Sequence, residues 1–199
     1  MSTAEPGRPR ARIAEARRNR QKLIEVATQA FAAETKPVAL ETIARRAGVG
    51  IGTLYRHFPS REALVEAIYA DKIGQLRSSA ERLLASHPPA AALRRWTGTF
   101  LEWAATKHGM TEALSRMMAS GRISPGEMRA ELVATVALFL DAGAATGDLR
   151  ADAAAADVAA LFAGVLVVAG APDQRDQAQR MLYLVVDGLR PTPDGPADT

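Results

Sequence analysis

Residues Leu40 to Leu64, LETIARRAGVGIGTLYRHFPSREAL, fit one local arrangement: two short helices joined by a tight turn, then the start of a third. Leu40, Ile43, Ala44 and Ala47 recur at helical spacing on one face. Gly48 ends that helix, because glycine enters the left-handed backbone region without a Cβ penalty. Val49 begins the turn. A second helix from about Ile51 turns Leu54 and Phe58 inward and leaves Thr53, Tyr55, Arg56 and His57 pointing elsewhere. Pro59-Ser60 breaks it, and Ser60 suits the N-cap of the next helix, with Ala63 as its third residue. A helix-turn-helix of this kind presents its second helix to the major groove of DNA.

The side chains of that second helix suit the task. Gly50 and Gly52 let the helix start come close to a groove floor. Thr53 can hydrogen-bond a base or touch a thymine methyl. Tyr55, His57 and Arg61 carry the donors that fix a protein on phosphates. The competing reading of the spacing alone is a buried helical hairpin with a solvated basic rim.

The segment GVGIGTLYRHFPSREAL closely resembles the DNA-binding signature of TetR-family transcriptional repressors: a Gly-Val turn, a Thr-Leu-Tyr core, an aromatic at Phe58 and a basic residue at Arg61. The resemblance covers roughly residues 16 to 70. It implies an all-α fold, with a three-helix N-terminal helix-turn-helix domain and a six-helix C-terminal ligand-binding and dimerisation domain. It implies that Thr53, Tyr55 and His57 contact an operator. The family usually has lysine where Arg61 stands, and arginine can grip a phosphate with two donors. Where Gly50 and Gly52 stand the family often has serine or a larger polar residue. That shifts base reading toward Ile51, Thr53 and Arg56 and leaves the operator sequence open.

Charge agrees with a DNA-reading head. Residues 1–62 hold 12 Lys+Arg against 6 Asp+Glu, and the remainder 13 against 16, within a net charge of +3. Aromatics make up 5% of the chain and alternating β-branched runs are absent, which points to helices throughout. There is no cysteine, which fits a reducing, cytoplasmic setting. The N-terminus has no apolar stretch of a secretory signal, and the apolar run from Val158 to Ala171 is too short to span a bilayer, so no membrane partner is expected.

Along the chain, residues 1–12 read as a flexible basic arm and 13–60 as the DNA-binding domain. Residues 61–190 read as a regulatory and dimerisation domain, and 191–199 as a disordered tail. The first helix runs from about Ile13 to Glu34, with Arg17 among the cations crowding its first half. Lys36-Pro37 makes the loop after it. A fourth helix from Arg61 to about Ser86 has no internal proline and can tie head to body. Pro125 suits a helix start, and Asp152 is the expected cap of the eighth helix.

The last two helices are rich in small and aliphatic residues and apolar nearly all round, a pattern that asks for burial nearly all round. They read as a homodimer interface carried by Leu161, Gly164, Val165, Val168, Met181, Leu182 and Val185. Two such heads read two half-sites of a palindrome. Trp96, Phe100, Trp103, Met110, Met117 and Phe139 are large, adaptable side chains that can line a pocket for a small apolar ligand, with His108 or Arg116 as a polar anchor. An ordinary core is the competing reading for these. The resemblance implies that an inducer held here moves the fourth helix and separates the heads.

Nothing points to an enzyme. His57, His87 and His108 lack metal-ligand spacing, and there is no cysteine nucleophile, HExxH or Gly-rich phosphate loop, so no metal or cofactor is expected. The leading expectation is a dimeric repressor released from DNA by a small molecule. A DNA-binding regulator governed by a protein partner is the alternative.

Overall fold

The computed structural model describes residues 8–33, 38–108, 110–169 and 171–191, with side chains described for 12–33, 38–106, 110–169, 171 and 173–191. Among the described residues the fold is all-helical: α1 (Arg8–Ala33), α2 (Leu40–Arg46), α3 (Ile51–His57), α4 (Arg61–Leu84), α5 (Pro89–His108), α6 (Thr111–Ala119), α7 (Pro125–Thr146), α8 (Ala155–Ala169) and α9 (Arg175–Gly188). A 3-10 turn, Pro172–Gln174, leads into α9. Residues 8–12, expected in the flexible arm, are the first turns of α1. Residues 1–7, the Lys36-Pro37 loop and the tail from 192 lie outside the described residues.

Helix ends follow local chemistry. Gly48 takes φ 66°, and the Val49 N–H donates to the Ala44 carbonyl at 3.0 Å, closing α2. The Ser60 hydroxyl accepts from the Ala63 N–H at 3.2 Å and caps α4. Ser124 does the same for α7 through Glu127 N–H at 3.4 Å, with Pro125 in the first turn. Near the other end of α7, a Cβ on Gly143 would lie 2.5 Å from Leu149, so only glycine lets the chain fold back there. Asp152 is not the cap of α8. That helix starts at Ala155, with the Val158 N–H on the Ala154 carbonyl, and Asp152 instead receives both arms of Arg150 at 2.6 and 2.7 Å.

Two cores result. The head core gathers Leu23, Ile24 and Ala27 of α1, Ile43 of α2, Leu54 of α3, Phe58, and Leu64, Val65 and Ile68 of α4. It also takes in Ala113, Leu114 and Met117 of α6, with Met110 just before it. The body core joins Leu76 and Ala80 of α4 to Leu93, Trp96 and Phe100 of α5, Phe139 of α7, Phe162 of α8, and Leu182 and Val186 of α9. The packing boundary therefore runs through α4, whose first turns belong to the head and whose later turns belong to the body. The Trp96 indole N–H donates to the Leu76 carbonyl at 2.9 Å and fixes the body half of α4 on α5. Arg94 pairs with Asp187 at 3.0 Å and lies 3.7 Å over the Tyr183 ring, tying α5 to α9.

Candidate nucleic-acid interface and body cavity

Helix α3 is held by one inward turn, Leu54 fully buried and Phe58 at 2% exposure, which leaves most of its surface free. Tyr55 and Ile51 are 45% and 39% exposed, large values for such side chains. Arg56 is exposed, and its Nε donates to the Gly52 carbonyl at 3.3 Å. Thr53 and His57 are half-buried on the flank, with the His57 ring 6.2 Å from Phe58. Gly50 and Gly52 are exposed, and a Cβ on either would meet nothing within 4 Å. Gly50 sits at φ −68°, which any residue adopts, so the isolated fold makes no demand for glycine at this helix start. Arg17 is exposed on α1, beyond the packed part of the head.

Arg61 departs from expectation. Its Nη1 donates to the Val38 carbonyl at 2.5 Å, and its guanidinium lies 5.0 Å over the Phe31 ring. Both contacts tie α4 to the elements before it. In the DNA-free head, Arg61 therefore acts as an anchor between α4 and the segments before it. The signature alone offered no sign of this, because both partners come from distant parts of the chain.

The body holds a cavity of about 310 Å³ between α4, α5, α7 and α8. Ile73 and Leu76 form its α4 wall, Phe100 and Trp103 its α5 wall, Met128, Leu132 and Thr135 its α7 wall, and Ala159, Ala160 and Ala163 its α8 wall, with Arg129 and Glu131 also lining it. Of the expected pocket residues, Phe100 and Trp103 are there. Trp96 and Phe139 are not; both are fully buried behind Phe100 in a continuous aromatic stack. Trp103 to Phe100 and Phe100 to Trp96 are each 5.7 Å between centroids, and Trp96 to Phe139 is 5.5 Å. Met110 and Met117 are also misplaced by the sequence reading, since both belong to the head core. Arg116 instead bridges Glu112 at 2.6 Å and Glu62, in the first turn of α4, at 3.1 Å. The His108 side chain lies outside the described residues. The walls from α4, α7 and α8 were missed, because helical stripes show that a face is covered and not which neighbours leave room.

A second hollow of about 540 Å³ adjoins the first, sharing Ile73, Met128 and Glu131 and adding Glu66, Tyr69, Arg122 and Glu127. Burial, then the charges of Glu131 and Glu127, push the Tyr69 hydroxyl up to about 12.

The expected dimer residues divide. Leu161 and Val168 are 55% and 65% exposed, and Gly164 is exposed beside them. Val165 and Leu182, at 6% and 0% exposure, are core residues of the single chain, and Met181 and Val185 are half-buried. A helix as apolar as α8 gives no phase from which to choose its outer face. Val167 at 87% and Leu184 at 73% exposure are apolar surface residues outside the expected interface set.

Among the described helices none is long and apolar enough to cross a membrane. Comparison with known proteins supplies the family. A model of bacterial regulatory proteins of the tetR family matches residues 23–68, and one described as "Transcriptional regulator SbtR-like, C-terminal domain" matches residues 88–191. The chain is 46% identical to the TetR transcriptional regulator SCO0520 from Streptomyces coelicolor, over 87% of this chain and 99% of that one, with a TM-score of 0.79. It is 35% identical to a TetR transcription regulatory protein from Mycobacterium vanbaalenii, over 89% and 98%, with a TM-score of 0.68. The uncharacterized HTH-type transcriptional regulator TtgW of Pseudomonas putida is 39% identical over 64 residues, 32% of this chain and 48% of that protein, so the match spans about half of that relative. An HTH-type transcriptional regulator of Staphylococcus aureus is 44% identical over 48 residues, 24% of this chain and a quarter (25%) of its own length. With its head and body each matched by models of such regulators, and with an open recognition helix on a packed head, the chain belongs to the TetR family of DNA-binding transcriptional regulators.

Proposed function

We propose that this protein is a cytoplasmic homodimeric repressor that binds a palindromic operator through two α3 helices and is released by a small, mostly apolar ligand. The observation that carries this reading is the cavity wall on α4. Ile73 and Leu76 line the cavity, while Leu64, Val65 and Ile68 of the same helix are head core. A molecule that fills the cavity therefore presses on the rod that carries the head. Helix α6, packed in the head core and bridged to Glu62 by Arg116, follows the same movement. A ligand releases DNA only by binding the spread arrangement better than the DNA-bound one. Phe100 and Trp103 offer flat apolar faces, and Thr135, Arg129 and Glu131 offer a few polar contacts.

The dimer face is the outward side of α8, where Ala160, Leu161, Gly164 and Val168 share one stripe beside Val167, joined by Leu184 of α9. Such an apolar patch marks an association surface, and its small residues let a second helix approach. The test has two arms. Duplexes selected from a random pool by the protein are used to screen compounds for release, and Trp103→Ala is expected to bind DNA and lose that response. Sedimentation is expected to show a dimer that Leu161→Glu or Val168→Glu converts to a folded monomer. A wild-type monomer at micromolar concentration, or a Trp103→Ala protein released normally, overturns the corresponding part.

A further inference from the structure

The two hollows of the body follow one gradient of polarity. Along α7, Thr135, Glu131 and Glu127 recur every four residues and share a face. Thr135 lines the cavity with Phe100 and Trp103, Glu131 lines both hollows, and Glu127 lines the second. Helix α4 repeats the order, with Leu76 in the cavity, Ile73 in both hollows, and Tyr69 and Glu66 in the second. Both helices thus turn from apolar to acidic in the same direction. From Thr135 to Glu127 the stripe extends about 12 Å, at 1.5 Å per residue.

The polar groups on this path ask for hydrogen-bond donors and positive charge. Thr135 is 3% exposed, and its hydroxyl donates to the Glu131 carbonyl at 2.8 Å. That oxygen can then only accept, and no donor reaches it among the described residues. The second hollow sets three carboxylates, Glu66, Glu127 and Glu131, against one guanidinium, Arg122. None of the three has an ion-pair partner among the described residues. Arg129, exposed, lines the first hollow. The Tyr69 hydroxyl registers which sign prevails: after burial, Glu131 and Glu127 push it up to about 12, and neither arginine draws it down.

We infer that the two hollows form one site and that its ligand is an amphiphilic cation, with an apolar body against Phe100 and Trp103 and an amine-type charge among Glu66, Glu127 and Glu131. The inference rests on the reading of the body cavity as a ligand site and adds the chemical class of the ligand. The apolar end gains by leaving water between the aromatic rings, and the charged end gains by pairing with carboxylates that no side chain of the protein neutralises. Tyr69 adds an aromatic ring to the hollow that receives the charge. The same carboxylates repel an anion of equal size.

The test uses the full chain and three probes with one apolar chain and different ends: decylammonium, decanol and decanoate, each below its micelle-forming concentration. Binding is followed by calorimetry and by tryptophan emission. Decylammonium should bind about tenfold more tightly than decanol, the order expected of two or three partly exposed ion pairs, and decanoate should bind most weakly. In Glu127→Gln with Glu131→Gln the advantage of decylammonium over decanol should disappear, while decanol binds as it does to wild type. Both carboxylates are exposed, so the melting temperature of the ligand-free protein should be unchanged. Decanoate binding as tightly as decylammonium, or a variant that keeps the preference for the cation, overturns the inference and leaves the apolar cavity standing as a ligand site. If none of the three binds, the ligand site of the body falls, and the inference with it.

Discussion

Head and body are both helical, and both close around apolar side chains, but they treat their aromatic rings in opposite ways. The head has two phenylalanines in its core, and each is covered by an arginine, Phe31 by Arg61 and Phe58 by Arg20. The rest of that core is built mainly from aliphatic side chains and methionines contributed by several helices. The body stacks Trp103, Phe100, Trp96, Phe139 and Phe162 upon one another and leaves about 310 Å³ open at the Trp103 end. A reading head gains from one fixed shape. Unfilled volume beside flat aromatic walls is what the small-molecule site proposed for the body requires.

The sharpest way to break this contrast lies within the aromatic stack. Trp96→Ala removes a fully buried ring and its hydrogen bond to the Leu76 carbonyl, and is expected to cost about 3–5 kcal/mol in denaturant unfolding. Trp103→Ala removes a ring that already borders open volume, so its loss should be clearly smaller. Equal losses would mean that the cavity is closed in solution. Next comes Met117→Ala, which tests whether α6 is part of the head. At 1% exposure in the head core it is expected to cost about 2–5 kcal/mol, and to weaken DNA binding along with stability. A neutral result would return α6 to the body.

A smaller effect concerns the joint between the two. Ser60→Ala removes the cap of α4 and should cost about 1 kcal/mol, with Ser60→Thr retaining most of it. The mildest test is a titration. The Tyr69 hydroxyl is pushed up to about 12 from the ordinary 10.0, chiefly because it is half-buried beside the second hollow and then because Glu131 and Glu127 stand near. The folded chain thus holds this proton more tightly than the unfolded one. Its contribution to stability is complete below pH 10 and fades as pH rises from about 10 to 12. Ultraviolet absorbance should show a late tyrosine step, and Tyr69→Phe should abolish it.

The helix-turn-helix was legible because each of its signals is local. Gly48 closes α2 with positive φ, Ser60 caps α4 through Ala63, and Leu54 and Phe58 point inward as spacing demands. Residue order sufficed where a contact spans a few residues. It failed where contacts span the chain. Arg61 meets Val38 and Phe31, and Met117 crosses into the head; the local exception is Asp152, which pairs with Arg150 two residues before it instead of capping a helix. In α8 both Val165 and Val168 fit any apolar pattern, yet one is core and the other surface, since only α5, α7 and α9 together decide which side is covered. The cavity was half legible: its aromatic wall is a sequence feature, and its volume is a property of how four helices fail to meet.

The aromatic stack also makes the molecule its own optical gauge. The chain contains two tryptophans, Trp96 and Trp103, and both sit in the body, so indole emission is blind to the head. The two are unequal sensors. Trp103 borders the cavity, and its emission should move with whatever enters it. Trp96, sealed behind Phe100 with its N–H on a backbone carbonyl, serves as an internal reference that changes only when the body core itself rearranges. A spectral change without Trp96 (in a Trp96→Phe protein) therefore records occupancy, and one without Trp103 records the rearrangement that follows, which separates arrival from response in an unlabelled protein.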